Sequence, residues 1–236
     1  MSDLKIDHEQ LSKALKTLIK SGTANQYVLF FKKFHEADIA ECVSDLTPEE
    51  KETFFKKINP ESAADILEIL DNYEAKATFF LIGSRLKRYA SYAKQLVAKG
   101  HSVGNHSYDH THINAMSKED LIKSIAKSQL AFHEYVGVLP SFYRPPYGNV
   151  TEVQEKILSK HFSHLIRWGI DPRDWDRNKS DDAIIEHILA KVTAGSIIVL
   201  HEKKRTVRLL PQLLEALHQR GYTMVSLDAA IAIAMD

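Results

Sequence analysis

The sequence predicts an α/β protein, a parallel sheet that is open or closed into a (β/α) barrel, preceded by a bundle of short helices. Three observations predict it. Strand-like and helix-like segments alternate from Asn72 onward, which is the pattern of parallel βα units. Before Asn72 the apolar residues recur at helical spacing between tight turns. The charge balance changes at the same place: residues 1 to 72 hold 9 Lys and Arg against 14 Asp and Glu, and the remainder holds 22 against 17. Such asymmetry marks two segments of different origin or role. An all-helical domain over 1–71 and a barrel-like domain over 72–236 are therefore expected.

From Asp7 to Lys20, Leu11, Ala14, Leu15, Leu18 and Ile19 fall on one helical face, and Ser21-Gly22 ends the pattern. Further helices are predicted over 27–34 and 37–46. Two starts then look alike, TPEEKETFFKKI from Thr47 and NPESAADILEIL from Asn59. Each has a capping residue, a proline at the first helical position and an acid just after it. Beyond Asn72, strands are predicted over 77–82, 101–104, 142–144, 164–168, 196–200 and 223–227, separated by helical stretches of which 121–135 is the most regular. In folds of this kind the chemistry gathers at the carboxyl ends of the strands.

Composition excludes several function classes. The 236 residues carry 31 basic and 31 acidic side chains, and no basic run offers nucleic acid a footprint. Cys42 is the single cysteine, so neither a disulfide framework nor a cysteine metal cluster is available. It sits in an apolar helical pattern and is expected to be a buried small residue. The N-terminus lacks a signal peptide's apolar core and no run reaches membrane-spanning length. A soluble cytoplasmic protein without a membrane span is the expectation from the chain as written.

Four polar clusters follow strand candidates: NHSYDH (105–110), YRPPYG (143–148), DPRDW (171–175) and LHE (200–202). Singly, each has a plain structural explanation, such as a satisfied histidine or a turn. NHSYDH sets two imidazoles, His106 and His110, four residues apart. Two histidines begin a metal site, but hydrolytic zinc sites take three protein ligands and leave a fourth position for water.

In this order and spacing, and with KATFFLIG (76–83) and KGHSVGNHSYDH (99–110), the clusters resemble the second to fifth motifs of the polysaccharide deacetylases with a NodB homology domain, carbohydrate esterase family 4. The resemblance runs from about Asp65 to Ala232. It implies a distorted (β/α) barrel that removes N-acetyl groups from chitin-like or peptidoglycan glucosamine with zinc or another divalent metal. It further implies that His106 and His110 ligate the metal, which polarises the acetamide carbonyl and activates water. The backbone N–H of Tyr147 helps bind the oxyanion, and His201 protonates the leaving amine. Asp174 orients His201, while Trp175 and Leu200 line the acetyl pocket. Arg144 matches the arginine that orients the catalytic aspartate through a charge-assisted hydrogen bond.

The stretch FHEADIAECVSDLTPEEKETFFKKINPESAADILEIL resembles, over about residues 5 to 71, the cytoplasmic N domain of bacterial MgtE-type magnesium transporters, a superhelical stack of short helices. The nucleotide-binding-like domains and pore of such a transporter do not occur in the sequence, so magnesium transport is not expected.

The deacetylase family's first motif, a strand ending in Thr-Phe-Asp-Asp-Gly, is not found in this chain. In the family it supplies the general base and the third metal ligand. Its place is taken by INPESAADILEIL, a helix that satisfies both resemblances, so the chain reads as a fusion through a shared helix, an engineered or recombined chimera. The expected barrel is then incomplete, missing its first strand, with open edges at 77–82 and 223–227 that a helical segment or a second copy would cover. Loss of a general base alone costs about 10²- to 10⁴-fold in rate, and a metal held by two ligands is expected to be weakly bound. Glu61, at the start of the shared helix, is the substitute acid best placed by topology; Asp109 and His112 are plainer loop residues. Three hypotheses follow. The first is a deacetylase scaffold with little or no activity on N-acetylated glycans. The second is an active deacetylase completed by a substitute acid or a partner chain, for instance a homodimer through the open edges. The third is a non-catalytic helical interaction module.

Overall fold

The computed structural model describes residues 8–21, 30, 42, 45–47, 49–50 and 61–235. The chain divides in sequence into two compact units, Met1–Ala64 and Asp65–Asp236. Sequence texture changes at 71/72, but the second compact unit starts inside the helix Glu61–Asn72. The reason is packing: Ile66, Leu67 and Leu70 on one face of this helix are buried in the same cluster as Phe79, Leu96, Val103 and Phe132.

In the first unit the helix His8–Ser21 buries Leu11, Leu15 and Ile19, the predicted apolar stripe. Cys42 is fully buried and its thiol lies 3.9 Å from the His8 carbonyl. The predicted start at Thr47 is a reciprocal capping box. Glu50 N–H donates to Thr47 Oγ1 (3.2 Å) and Thr47 N–H donates to Glu50 Oε2 (3.0 Å). The helices predicted over 27–34 and 37–46 fall almost entirely outside the described residues, as does the start at Asn59.

The second unit is built on four parallel strands in the order β1 (Thr78–Leu81), β2 (Ser102–Asn105), β3 (Phe142–Tyr143) and β4 (His164–Leu165). β1 and β2 pair in register from Thr78↔Ser102 to Leu81↔Asn105. Asn105 pairs with Tyr143, and Phe142 with His164. Every residue of β2 is buried, as suits a parallel strand covered on both faces. Gly104 permits this pairing, because a Cβ there would stand 2.4 Å from the Phe80 ring. The helix Lys118–Tyr135 begins at Ser117, whose hydroxyl accepts from Asp120 N–H at 3.1 Å, and buries Leu121, Ile125, Ser128 and Phe132. The helix Lys204–Gln219 buries Leu209, Leu210, Leu213, Leu214 and Leu217.

The last two predicted strands are not strands. The 196–200 segment makes one isolated parallel bridge, Ile170↔Ile198. Residues 223–227 give only one backbone bond to the β1 segment, Lys76 N–H to Met224 O (3.0 Å), and a second to a side chain, Leu227 N–H to Thr78 Oγ1 (2.9 Å). A ladder needs a matched run of backbone groups, and this one is interrupted where the helix Leu227–Met235 begins. Among the described residues no strand pairs with the other edge of β1, and the α/β sheet they form is open there.

Candidate active site

The loop after β2 is tied to the loop after β1. His106 N–H donates to Leu81 O (3.0 Å), Gly83 N–H to Ser107 O (3.0 Å) and Ser84 N–H to Tyr108 O (2.7 Å). Within the loop Ser107 and His110 hold φ of 64° and 65°, and His110 N–H donates to Ser107 Oγ at 2.9 Å. Positive φ in residues other than glycine is strain of the kind that collects at functional sites. Its effect here is to bring the His106 and His110 rings within 4.8 Å of each other.

His106 Nδ1 lies 2.7 Å from the Arg144 carbonyl oxygen, an acceptor, so Nδ1 carries the proton and the Nε2 lone pair is free. Burial, helped by the Arg144 charge, pushes its pKa down to about 3. His110 is also lowered, by burial first and then by Arg85. Both imidazoles are therefore neutral at physiological pH, the form that ligates metals.

Arg144 follows β3, with its N–H donating to Asn105 O at 2.9 Å. Its guanidinium stacks 4.4 Å over the Phe80 ring, and burial draws its pKa down to about 10, leaving it charged. Among the described residues no carboxylate pairs with it. Tyr147 sits in the turn Pro146–Gly148 with φ 61°. Its half-exposed ring stacks on His112 (3.6 Å) and meets His110 edge-on (5.0 Å), so His112 belongs to the site's rim.

Asp174 and His201 form the tightest polar unit. The buried Asp174 Oδ1 is 2.6 Å from His201 Nδ1, and Oδ2 accepts from His201 N–H (2.8 Å) and Thr206 Oγ1 (3.3 Å). Burial alone would raise the Asp174 carboxyl, but these hydrogen bonds outweigh it and hold the pKa below the usual range. The geometry places the His201 proton on Nδ1 and leaves Nε2 facing outward. Arg205 clamps the 174–181 loop, donating to the carbonyls of Asp176 (2.7 Å) and Lys179 (2.6 Å) and pairing with Asp181 (3.0 Å). Trp175 is half exposed, whereas Leu200 lines an internal cavity that Trp175 does not reach.

The structure thus brings His106, His110, Arg144, Tyr147, Asp174 and His201 to one end of the sheet. The charge of His201 is felt at both His106 and His110. Sequence reading did not single out Arg85, Tyr92, Arg205, Thr206 or Glu202. Tyr92 hydrogen-bonds Glu202, an exposed residue whose carboxyl group is nonetheless desolvated enough to push its pKa up against the Tyr92 bond and then Arg85. The LHE cluster contained Glu202, but only the fold shows that Tyr92 reaches it. Glu61 opens the helix Glu61–Asn72, falls in the first compact unit, and its side chain lies outside the described residues.

Two imidazole nitrogens suit a zinc or similar ion, but no group of three His, Cys, Asp or Glu side chains able to hold a metal stands together among the described residues. The described residues do not complete a metal centre.

A parallel α/β sheet with paired imidazoles, a lone arginine and a His–Asp pair at its carboxyl edge defines a scaffold of the hydrolase type. The sequence profile of polysaccharide deacetylases matches residues 51–162. The peptidoglycan-N-acetylglucosamine deacetylase of Bacillus cereus is 32% identical over 182 residues, 75% of this chain and 84% of that protein. The chain belongs to the polysaccharide deacetylase family. Peptidoglycan deacetylase PdaC from Bacillus subtilis superposes with a TM-score of 0.69 at 26% identity, over 75% of this chain and 86% of that one. A CE4 family pseudoenzyme from Bacillus anthracis does so with a TM-score of 0.67 at 26% identity, over 72% and 60%. The profile match starts upstream of the helix Glu61–Asn72, yet between residues 51 and 64 the only acids are Glu52 and Glu61, and no aspartate occurs.

Proposed function

We propose that this chain is a deacetylase scaffold that accepts N-acetylated glucosamine polymers and hydrolyses them poorly. One observation carries the reading: among the described residues Arg144 has no acidic partner, and the His106–His110 pair is not joined by a third His, Cys, Asp or Glu that would complete a metal site. Without that acid the attacking water lacks a base, and loss of a general base costs about 10²- to 10⁴-fold. The kinship with a protein described as a pseudoenzyme supports a fold that persists without full activity.

The residues present still divide the work of amide hydrolysis. The Tyr147 turn offers a backbone donor to the acetamide oxygen as it becomes an oxyanion. His201, its Nδ1–H held by Asp174, takes up a second proton from solvent at Nε2 and gives it to the departing amine as the C–N bond breaks. Trp175, half exposed and next to Asp174, is offered to the acetyl group, whereas Leu200 lines the separate cavity. When bound at His106 and His110, a zinc or other divalent ion would polarise the carbonyl. Two protein donors hold such an ion weakly, and Glu61 is a substitute acid by topology alone. The helical N-terminal segment, similar to a magnesium transporter N domain, is an appended module fused through the shared helix, in a recombined or engineered chimera. Pairing of two copies through the open sheet edge is part of the same reading. No helix among the described residues is long and apolar enough to cross a membrane.

The test is turnover of N-acetylated chitooligosaccharides and peptidoglycan with zinc added, measured beside the Bacillus cereus relative. Rates within tenfold of that enzyme overturn the reading. A second reading, an active enzyme with a substitute acid, rests on Glu202, which follows His201 directly and hydrogen-bonds Tyr92. Glu202→Gln would then abolish turnover, whereas it leaves the residual rate unchanged if the site simply lacks a base.

A further inference from the structure

A cavity of about 490 Å³ opens inside the second unit, between β1, the 166–168 segment, the 196–200 segment and the helix Lys204–Gln219. This is the size range of pockets, about 300–1,000 Å³, that hold small organic molecules. Its walls are largely hydrocarbon: Phe80, Ile166, Ile198, Leu210, Leu213 and Met224 all face it. Among the described residues three cations line it, Lys76, Arg144 and Arg167, and no Asp or Glu does. Lys76 stands 3.9 Å from Asp71, and Arg167 pairs with Glu155. Arg144 is different: it is partly buried, its guanidinium covered on one face by Phe80, and it has no acidic partner among the described residues.

An unpaired charge taken out of water is costly, and the cost is recovered when a counter-ion arrives with it. The fork of guanidinium N–H donors matches a planar carboxylate through two parallel hydrogen bonds. The hydrocarbon walls beyond it gain from burying a chain and offer little to a sugar's hydroxyls. From this charge complementarity we infer that the cavity binds a carboxylic acid with an apolar chain, its head on Arg144 and its chain along Leu210 and Leu213. The ligand class differs from the N-acetylated glycan, and the inference does not rely on any hydrolytic activity.

The full chain is titrated by calorimetry with decanoate and with decanol, two probes of equal chain length that differ in the head group. The expected result is that decanoate binds about tenfold or more tightly than decanol, the worth of one charge-assisted contact. Arg144→Met erases that preference and leaves decanol binding unchanged. Ile198→Trp, which fills the chamber, weakens both. Tryptophan fluorescence melting checks that each variant folds. Equal affinity of the wild type for the two probes, no binding of either, or a preference that survives in Arg144→Met would each overturn the inference. The wild-type comparison decides the point even if a variant does not fold.

Discussion

Asp174→Ala removes a carboxylate whose side chain has no exposed surface and which serves three donors: His201 Nδ1–H, His201 N–H and the Thr206 hydroxyl. The consequences of losing it are unequal. The His201 side chain is 43% exposed, so its Nδ1–H turns to water at little cost. The Thr206 hydroxyl keeps its stronger bond, 2.6 Å to the His201 carbonyl. What is left is the His201 backbone N–H, in a part-buried setting with no replacement acceptor. An unsatisfied buried donor costs about 1–3 kcal/mol, and the space left by the carboxylate adds a smaller amount, so the expected loss is about 2–3 kcal/mol. Asp174→Asn should cost nearly as much, because its amide group sets a donor against a donor on one side. Urea denaturation at pH 7 followed by tryptophan fluorescence reads this directly, since both tryptophans, Trp168 and Trp175, lie in the second compact unit. The midpoint should fall with the slope unchanged. A loss below about 0.5 kcal/mol for Asp174→Ala, the range of ordinary surface changes, would show that the Asp174–His201 unit does not hold this end of the sheet together.

Three further outcomes are expected. Buried His101 accepts the Ala77 N–H at Nδ1 (3.1 Å), and burial, then Lys76, lowers its pKa, with Asp71 opposing and Lys99 assisting. His106 and His110 are lowered too. A histidine whose folded pKa lies below its unfolded value of about 6.5 keeps its full stabilising contribution above that pH, and loses it as pH falls toward the folded value. Chemical denaturation from pH 7.5 to 5 should therefore show stability falling below about pH 6.5, less steeply in His101→Gln; a flat profile refutes this. Leu214→Ala, at a position 3% exposed between the helix Lys204–Gln219 and the main core, should cost about 2–5 kcal/mol in the same assay. Gly104→Ala should cost about 1–3 kcal/mol because its Cβ meets the Phe80 ring. Phe80→Leu should relieve part of that in the double variant, and strict additivity of the two would contradict the contact.

The helices were the most legible part of the sequence, because their signals are local. Thr47 caps where its proline and following acids predict a start, and Leu11, Leu15 and Ile19 are buried as their spacing requires; the cap at Ser117, four residues before the predicted helix 121–135, was not read. The four strands were legible as apolar runs in order, though β1, β3 and β4 are shorter than their runs and β2 is shifted by one residue. The segments 196–200 and 223–227 have strand composition and no ladder, since pairing belongs to the neighbour as much as to the segment. Their apolar character reflects burial in the cores around Leu210 and Leu217. The boundary of the second unit was hidden for a similar reason. The face Ile66, Leu67, Leu70 reads as amphipathic helix whichever unit it packs against.

At the candidate site, residue types and order foretold which clusters converge, while the geometry that makes them work was not in the pattern. Nothing in NHSYDH shows that His106 Nδ1–H donates a hydrogen bond to the Arg144 carbonyl, a contact between the residues that follow two different strands. That bond has a consequence for the empty place in the constellation. It couples the loop that carries the imidazoles to the strand end that carries the guanidinium, so the position of Arg144 is fixed by backbone, whether or not an acid accompanies it. An arginine held only by its partner would swing to solvent when that partner is lost. This one stays stacked over Phe80. The scaffold therefore keeps the binding geometry for an acid that the described chain does not provide, and a carboxylate brought by a ligand, a second copy or a substitution would meet a site already formed.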